Sequence, residues 1–323
     1  MRFKELSHSY KMTSNATQTI IAEQDSASQR LDLVAAKLFE LSRSQAQKSI
    51  EAGELLVNNL PSTSNYRVRS GDVLAYAAPE VDEDILIPED IPLSVLYEDP
   101  NLIVVDKPAG MVVYPAAGHA RGTLMNALAH RCSQLAAVGG PLRPGVVHRL
   151  DKGTSGVMVV ALDDGAYYHL VGQFQERNIN RRYTAVVAGR LKQESGEIAL
   201  SIGRSPQHRK KMSTRAHRRK PALTGWKTIE RFPDATLIEA KLGTGRTHQI
   251  RVHFSAIGHP VLGDTVYGRK TMLERGRAKI AFPRQMLHAA LLGFVHPVTG
   301  DYLEFSAPIP DDMAAVLAAL RSA

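Results

Sequence analysis

The chain has one cysteine and one tryptophan in 323 residues. A lone thiol, Cys132, cannot close an internal disulfide or build a multi-cysteine zinc or iron–sulfur site, which suits a reducing compartment and points to the cytoplasm. A membrane span needs about 20 consecutive apolar residues. No such run occurs, and with Glu5 and no apolar block near Met1 a secretory signal is not expected either. Neither GxxxxGKS/T nor HExxH is present, so the phosphate-cradling loop and the helical zinc site of those patterns are not expected, and no internal repeat is apparent. These absences lead to an expectation of no cofactor and no metal.

Charge is present in excess and unevenly placed. The formal net charge is +8, which favours a polyanionic partner. Residues 76–99 hold eight acidic residues, three prolines and no base, and read as an extended connector that repels itself. Residues 201–220 hold eight Lys or Arg, two His and no acid. A charge run is commonly only a solvated face, but one so one-sided seeks a counterion, and an RNA backbone supplies it.

The segment PGVVHRLDKGTSGVMVVAL, residues 144–162, sets His148, Arg149 and Asp151 before an apolar run. Val157 to Leu162 read as a strand buried on both faces, with the Gly153–Gly156 turn holding Asp151 at its entrance. By composition alone Asp151 reads first as a turn residue accepting nearby amides, the commoner use of such a position. A kinase loop has Leu after its Asp, whereas Leu150 precedes Asp151, and a GxSxG elbow begun at Gly153 would meet Val157 where its last glycine belongs.

Along the chain, residues 1–18 are polar and aperiodic and are expected to be a disordered leader. Leu31, Val34, Ala35 and Leu38 lie at helical spacing, and Ser42 with Gln45 forms a capping box that opens a second helix. Gly53 can close that helix, and a strand follows from Leu55 to Asn58. Beyond the connector, strands in hairpin pairs with helices interspersed irregularly predict an α+β fold with a mixed, largely antiparallel sheet.

Five stretches taken together carry a resemblance. They are DKPAGMVVYPAAG at 106–118, GVVHRLDKGTSGVMVVA at 145–161, RRYTAVVAG at 181–189, RKKMSTRAHRRKPALT at 209–224 and GRTHQIRVHFSAIGHPVLGDTVYG at 245–268. In this order the chain resembles the ribosomal large-subunit pseudouridine synthases, most closely their D group, and the helical hairpin before them resembles the S4 RNA-binding domain. Arg182, where that family more often has Lys or Glu, and the long leader are departures. The resemblance implies four segments: a leader at 1–18, a small α/β S4-like domain at 19–77, an acidic linker at 78–92 and a synthase catalytic domain at 93–323.

It also implies isomerisation of uridine to pseudouridine in large-subunit rRNA at the helix 69 stem-loop, by a cytoplasmic monomer with RNA as its partner and neither DNA nor membrane. Another rRNA site, a tRNA, or a non-catalytic RNA-binding assembly factor are the alternatives. Asp151 matches the family's catalytic aspartate. Arg251 matches its paired arginine, able to grip a carboxylate through two hydrogen bonds. Tyr183 matches its active-site tyrosine, although unaided a Tyr before Thr-Ala-Val-Val is a core strand residue. Arg149 would fill the gap left by a flipped base. His148, His248, Arg43, Lys48, Arg209, Lys210 and Lys211 are expected on RNA. Gly263 and Asp264 look like a turn supporting the site. His248 and His253 are poorly placed to share a metal, since five residues on a helix is about 500°.

Overall fold

The computed structural model describes residues 17–77, 85–116, 119–208, 211–275 and 278–322. The leader up to residue 16, residues 78–84 of the acidic stretch, and Arg209 and Lys210 lie outside them. The chain divides into two compact units, Met1–Asp84 and Ile85–Ala323.

In the first unit β1 (Gln18–Ile21) precedes α1 (Leu31–Leu38) and α2 (Arg43–Glu51), followed by β2 (Leu55–Val57), β3 (Leu60–Pro61) and β4 (Val73–Tyr76). The strands pair antiparallel in the order β1-β4-β2-β3. Leu31, Val34 and Ala35 meet Ala46, Ile50, Leu55 and Leu74 in one core, because apolar residues three and four apart share a helix face. The Ser42–Gln45 capping box is formed, and Gly53 takes φ +74° just beyond α2.

The second unit runs β5 (Ser94–Glu98), β6 (Leu102–Lys107), α3 (Leu124–Arg131), β7 (Ser155–Ala161), α4 (Asp164–Glu176), β8 (Asn180–Ala188) and β9 (Ser195–Ile198). Then come three short strands, β10 (Ile202–Arg204), β11 (Met212–Ser213) and β12 (Arg219–Lys220), and the long hairpin β13 (Thr224–Arg231) and β14 (Ala235–Leu242). α5 (Gln249–Ala256), the hairpin β15 (Met272–Arg275) and β16 (Ala278–Ala281), β17 (Leu287–Val295), β18 (Tyr302–Ser306) and α6 (Asp311–Ser322) complete it. Nine strands form one sheet in the order β5-β6-β7-β17-β8-β14-β13-β9, with β18 added to β17. Only β7 and β17 pair parallel, so the expected α+β class with a mixed, largely antiparallel sheet is what the chain adopts. Among the described residues no helix is long and apolar enough to cross a membrane.

All seven residues of β7 are buried. Met158 and Val160 pack with Leu124 and Leu128 on one face, while Val157, Val159 and Ala161 pack with Leu170 and Phe294 on the other. Burial on both faces is why this strand reads as an unbroken apolar run. Residues 85–92, expected within the acidic linker, are instead fastened to α3. Asn126 donates to the Ile87 carbonyl at 2.7 Å, and Glu89 Oε2 accepts from the Gly122 amide at 2.8 Å. These bonds satisfy backbone groups that an extended connector would leave to water.

Candidate active site

Asp151 heads a tight turn in which the Thr154 amide donates to its carbonyl at 3.0 Å. Two other segments brace the turn. The Gly110 amide donates to the Lys152 carbonyl at 2.7 Å, Arg284 Nη1 to the Gly153 carbonyl at 3.0 Å, and Gln285 Nε2 to Thr154 Oγ1 at 3.2 Å. Lys107 holds the Gly110 loop by donating its Nζ to the carbonyls of Pro108 and Met111, at 2.7 and 2.9 Å. That ammonium is wholly buried, and burial pushes it down to about 7, helped by the Arg284 charge and opposed by Asp151 and Asp106. Gly156 has φ +118°, and a Cβ there would stand 2.2 Å from the Ala289 carbonyl oxygen. Glycine is therefore required where β7 meets β17, and the Asp151 turn is set at that seam.

Arg251 lies in the first turn of α5, as its spacing from Thr247 suggests. Its Nη1 donates to Asp151 Oδ2 at 2.7 Å. The two-bond grip expected for Asp151 goes instead to Asp264, which accepts from Nε at 2.7 Å and Nη2 at 2.9 Å. Asp264 is also held by its own turn: its Oδ1 accepts from the amides of Val266 and Tyr267, at 2.9 and 3.1 Å. The preceding Gly263 has φ +76°, and a Cβ there would sit 1.7 Å from the Arg284 carbonyl oxygen. Burial raises the Asp264 carboxyl, and the hydrogen bonds and charge of Arg251 more than reverse it, leaving it below its usual value. Burial lowers Arg251, and the bonds and charges of Asp264 and Asp151 outweigh it.

His248 caps α5 in the left-handed conformation, φ 56°, beside the carboxylate. The Tyr267 hydroxyl accepts from the Met212 amide at 2.8 Å, which leaves its own hydrogen for His248 Nδ1, also at 2.8 Å. Burial lowers His248, so its imidazole is neutral near pH 7 and its remaining proton sits on Nε2. That N–H stands 3.6 Å from Asp151 Oδ1. His253 is buried and bonded to Thr224 Oγ1 and the Leu200 carbonyl, at 2.9 and 2.8 Å. Among the described residues no group of three or more His, Cys, Asp or Glu is placed to hold a metal.

These side chains border a cavity of about 540 Å³. Asp151, Arg251, His248, Tyr183, Arg149 and His148 all line it, so six of the expected site residues converge. The carboxylate of Asp151 is 17% exposed, with Oδ2 on Arg251 and Oδ1 3.6 Å from His248 Nε2. Burial raises the Tyr183 hydroxyl, with Asp151 adding and Arg181 opposing. His148 stacks on Phe174 at 4.7 Å and its Nε2 accepts from the Val159 amide, and burial pushes it down to about 3. Arg149 is exposed, donates to the Tyr114 hydroxyl at 2.7 Å and lies 5.2 Å from that ring.

Among the described residues, the others expected on RNA lie outside the cavity. Lys211 donates to the Val266 carbonyl at 3.0 Å, tying the basic segment to the Asp264 turn. In the N-terminal unit Lys48 is exposed, whereas Arg43 donates to the buried carboxylate of Asp32 at 3.0 Å. Lys107, Tyr267, Arg284 and Arg181 were invisible as site residues. Lys107, Arg181 and Tyr267 lie inside the quoted motifs, but nothing in their spacing marks a buried cation or a tautomer-setting hydroxyl.

A family model described as RNA pseudouridylate synthase matches residues 101–256, and an S4 domain model matches residues 29–74. The chain is 43% identical over 304 residues to the RNA pseudouridine synthase YlyB of Bacillus subtilis, covering 94% of this chain and 97% of the relative. It is 43% identical over 301 residues to the ribosomal large subunit pseudouridine synthase D of Vibrio parahaemolyticus, covering 91% of each. Among solved structures, human RNA pseudouridylate synthase domain containing 1 superposes with a TM-score of 0.54 at 26% identity, over 73% of this chain and 97% of that one.

Proposed function

The chain belongs to the RNA pseudouridylate synthase family, an RNA-modifying enzyme with an S4 domain, and from that premise we propose that it isomerises uridines in the helix 69 stem-loop of large-subunit rRNA with Asp151 as the nucleophile. The reaction breaks the bond from N1 to C1′, turns the uracil and rejoins it through C5. The observation that carries the proposal is the placement of the Asp151 carboxylate: one oxygen accepts from buried Arg251 at 2.7 Å, the other lies 3.6 Å from His248 Nε2, and the residue lines the cavity. A buried guanidinium holds the carboxylate in one orientation beside the cavity, as a nucleophile needs.

In this reading Tyr183 lies against the uracil, with its hydroxyl near the C5 proton. Arg149, exposed at the rim, takes the space of the flipped base. A loop target fits this chemistry, since unstacked bases leave the RNA at lower cost than paired ones. Two curated relatives with this architecture are named ribosomal large subunit pseudouridine synthase D, which supports a large-subunit substrate. The protein acts as a cytoplasmic monomer, with Lys48 and the exposed arginines of the basic segment on RNA.

The test offers purified protein 23S-type rRNA, assembled large subunits and tRNA side by side and maps pseudouridine by nucleotide. Modification within the helix 69 stem-loop is expected. Modification only in tRNA, or only elsewhere in rRNA, refutes the substrate while leaving the enzyme class intact.

A further inference from the structure

We propose that Arg181 contacts the substrate, its guanidinium receiving the negative charge that builds on the uracil when the bond from N1 to C1′ breaks. The proposal rests on the reaction assigned above and adds a catalytic residue to it. Arg181 stands two positions before Tyr183 on β8, so both side chains emerge on the same face of the sheet, and both line the cavity. It is 7% exposed, close to the 5% of Arg251.

The two buried arginines differ in what meets them. Arg251 is shared between two carboxylates, at 2.7 Å each. Among the described residues Arg181 has no carboxylate in ion-pairing range and no hydrogen-bond acceptor, and its Nε is buried and unpaired. Its guanidinium carbon lies 5.4 Å from the centre of the Phe174 ring. Gly245 gives it room, since a Cβ there would stand 2.7 Å from Nη1. The nearest titratable groups are His148, neutral against Phe174, and the Tyr183 hydroxyl, so neither supplies an anion.

A stripped guanidinium cannot shed its proton to relieve the cost of burial. A fold keeps such a group at a functional site when a ligand completes it. The ligand must be anionic and planar to suit the fork of donors, and it must sit beside Tyr183 rather than at the cavity rim. The departing uracil meets this description. Cleavage sends the bonding pair to N1, and the charge spreads to O2 and O4, while the Asp151 carboxylate bonds to C1′. When C5 attacks C1′ the bond to Asp151 breaks and its carboxylate is restored; C5 then gives up its proton, N1 ends protonated, and the charge disappears. A donor placed where charge develops lowers the barrier without tightening ground-state binding.

Arg181→Met keeps the aliphatic stem and removes the charge, while Arg181→Lys keeps the charge without the fork. Expected for Met is a single-turnover rate at saturating rRNA lower by about 100-fold or more, the loss typical of one charge-stabilising donor. RNA affinity should stay within about threefold, with the salt slope unchanged, because no phosphate contact is lost. The thermal midpoint should hold or rise, since an uncompensated buried charge has been removed, and Lys should recover at least a tenth of the lost rate. A lower midpoint for both variants makes Arg181 structural and overturns the proposal. So does a weakened affinity with a slope smaller by about 0.7 and an unchanged saturated rate, which would place a backbone phosphate on Arg181. Absence of pseudouridine with wild-type protein on every RNA would instead defeat the assigned reaction, and the Met midpoint would still report on the buried charge.

Discussion

Replacing Asp264 by Asn isolates the support that Arg251 receives from behind. The carboxylate accepts four hydrogen bonds, two from Arg251 at 2.7 and 2.9 Å and two from amides at 2.9 and 3.1 Å. Three of the four fall on Oδ1, so an asparagine keeps them by placing its oxygen there. Its NH2 then faces the Arg251 Nε–H donor against donor, and the guanidinium loses one of its two anions. A broken charged hydrogen bond costs about 1.5–3 kcal/mol. Arg251 keeps Asp151 at 2.7 Å, so the loss stays near that range, short of the about 3–5 kcal/mol for a buried charge left with no partner. Trp226, the single tryptophan, is buried in β13 and reports on the catalytic unit, so urea unfolding followed by its fluorescence reads this loss without mixing in the N-terminal unit.

The same substitution predicts a pH dependence. The folded Asp264 carboxyl lies below its unfolded value, so the stability it contributes is complete above about pH 4 and is lost as the pH falls through the lower folded value. The margin of wild type over Asp264→Asn should therefore be largest at pH 7 and shrink toward pH 3. A margin under about 1 kcal/mol at pH 7, measured against the cost of a broken charged hydrogen bond, would refute the reasoning, as would a margin that ignores pH.

Asp151→Asn should leave folding and RNA affinity near wild type and remove isomerisation, because the amide is nearly isosteric and not nucleophilic; single-turnover activity within about tenfold of wild type would remove the residue from that role. Changing the exposed Arg215, Arg218 and Lys220 to Ala should lower the salt slope of RNA binding by up to about 2, at about 0.7 per lost phosphate contact, and an unchanged slope would show that this face points away from RNA. Asp32→Asn should loosen the N-terminal unit, since that buried carboxylate accepts from Arg30, Arg43 and Gln47, and hydrogen exchange of the Leu31–Leu38 amides reads the effect. Arg30 and Arg43 hold Asp32 well below the usual carboxylate range, so wild-type protection should persist near neutral pH and fade in acid, and protection unchanged in the variant would refute the role.

Local pattern by itself determined the elements. Seven buried residues in β7 show as an apolar run, the Ser42–Gln45 box opens α2, and hairpin spacing forecasts a sheet paired mostly antiparallel. The family resemblance, carried by short contiguous motifs, brought Asp151, Tyr183 and Arg251 to notice, which their residue types alone would not have done. Tertiary structure decided which donor meets which acceptor. Asp151 and Arg251 are 100 residues apart, and the fork of Arg251 meets Asp264, which a glycine turn and two backbone amides hold in place. Arg43 and Lys211, both expected on RNA, are bound to Asp32 and to the Val266 carbonyl. Lys107 lost its water, and Arg181 was buried without a carboxylate, though nothing in their neighbours along the chain distinguishes them from surface cations. Periodicity records which face of an element leaves water, whereas the pairing of charges depends on the paths of segments far apart in the chain.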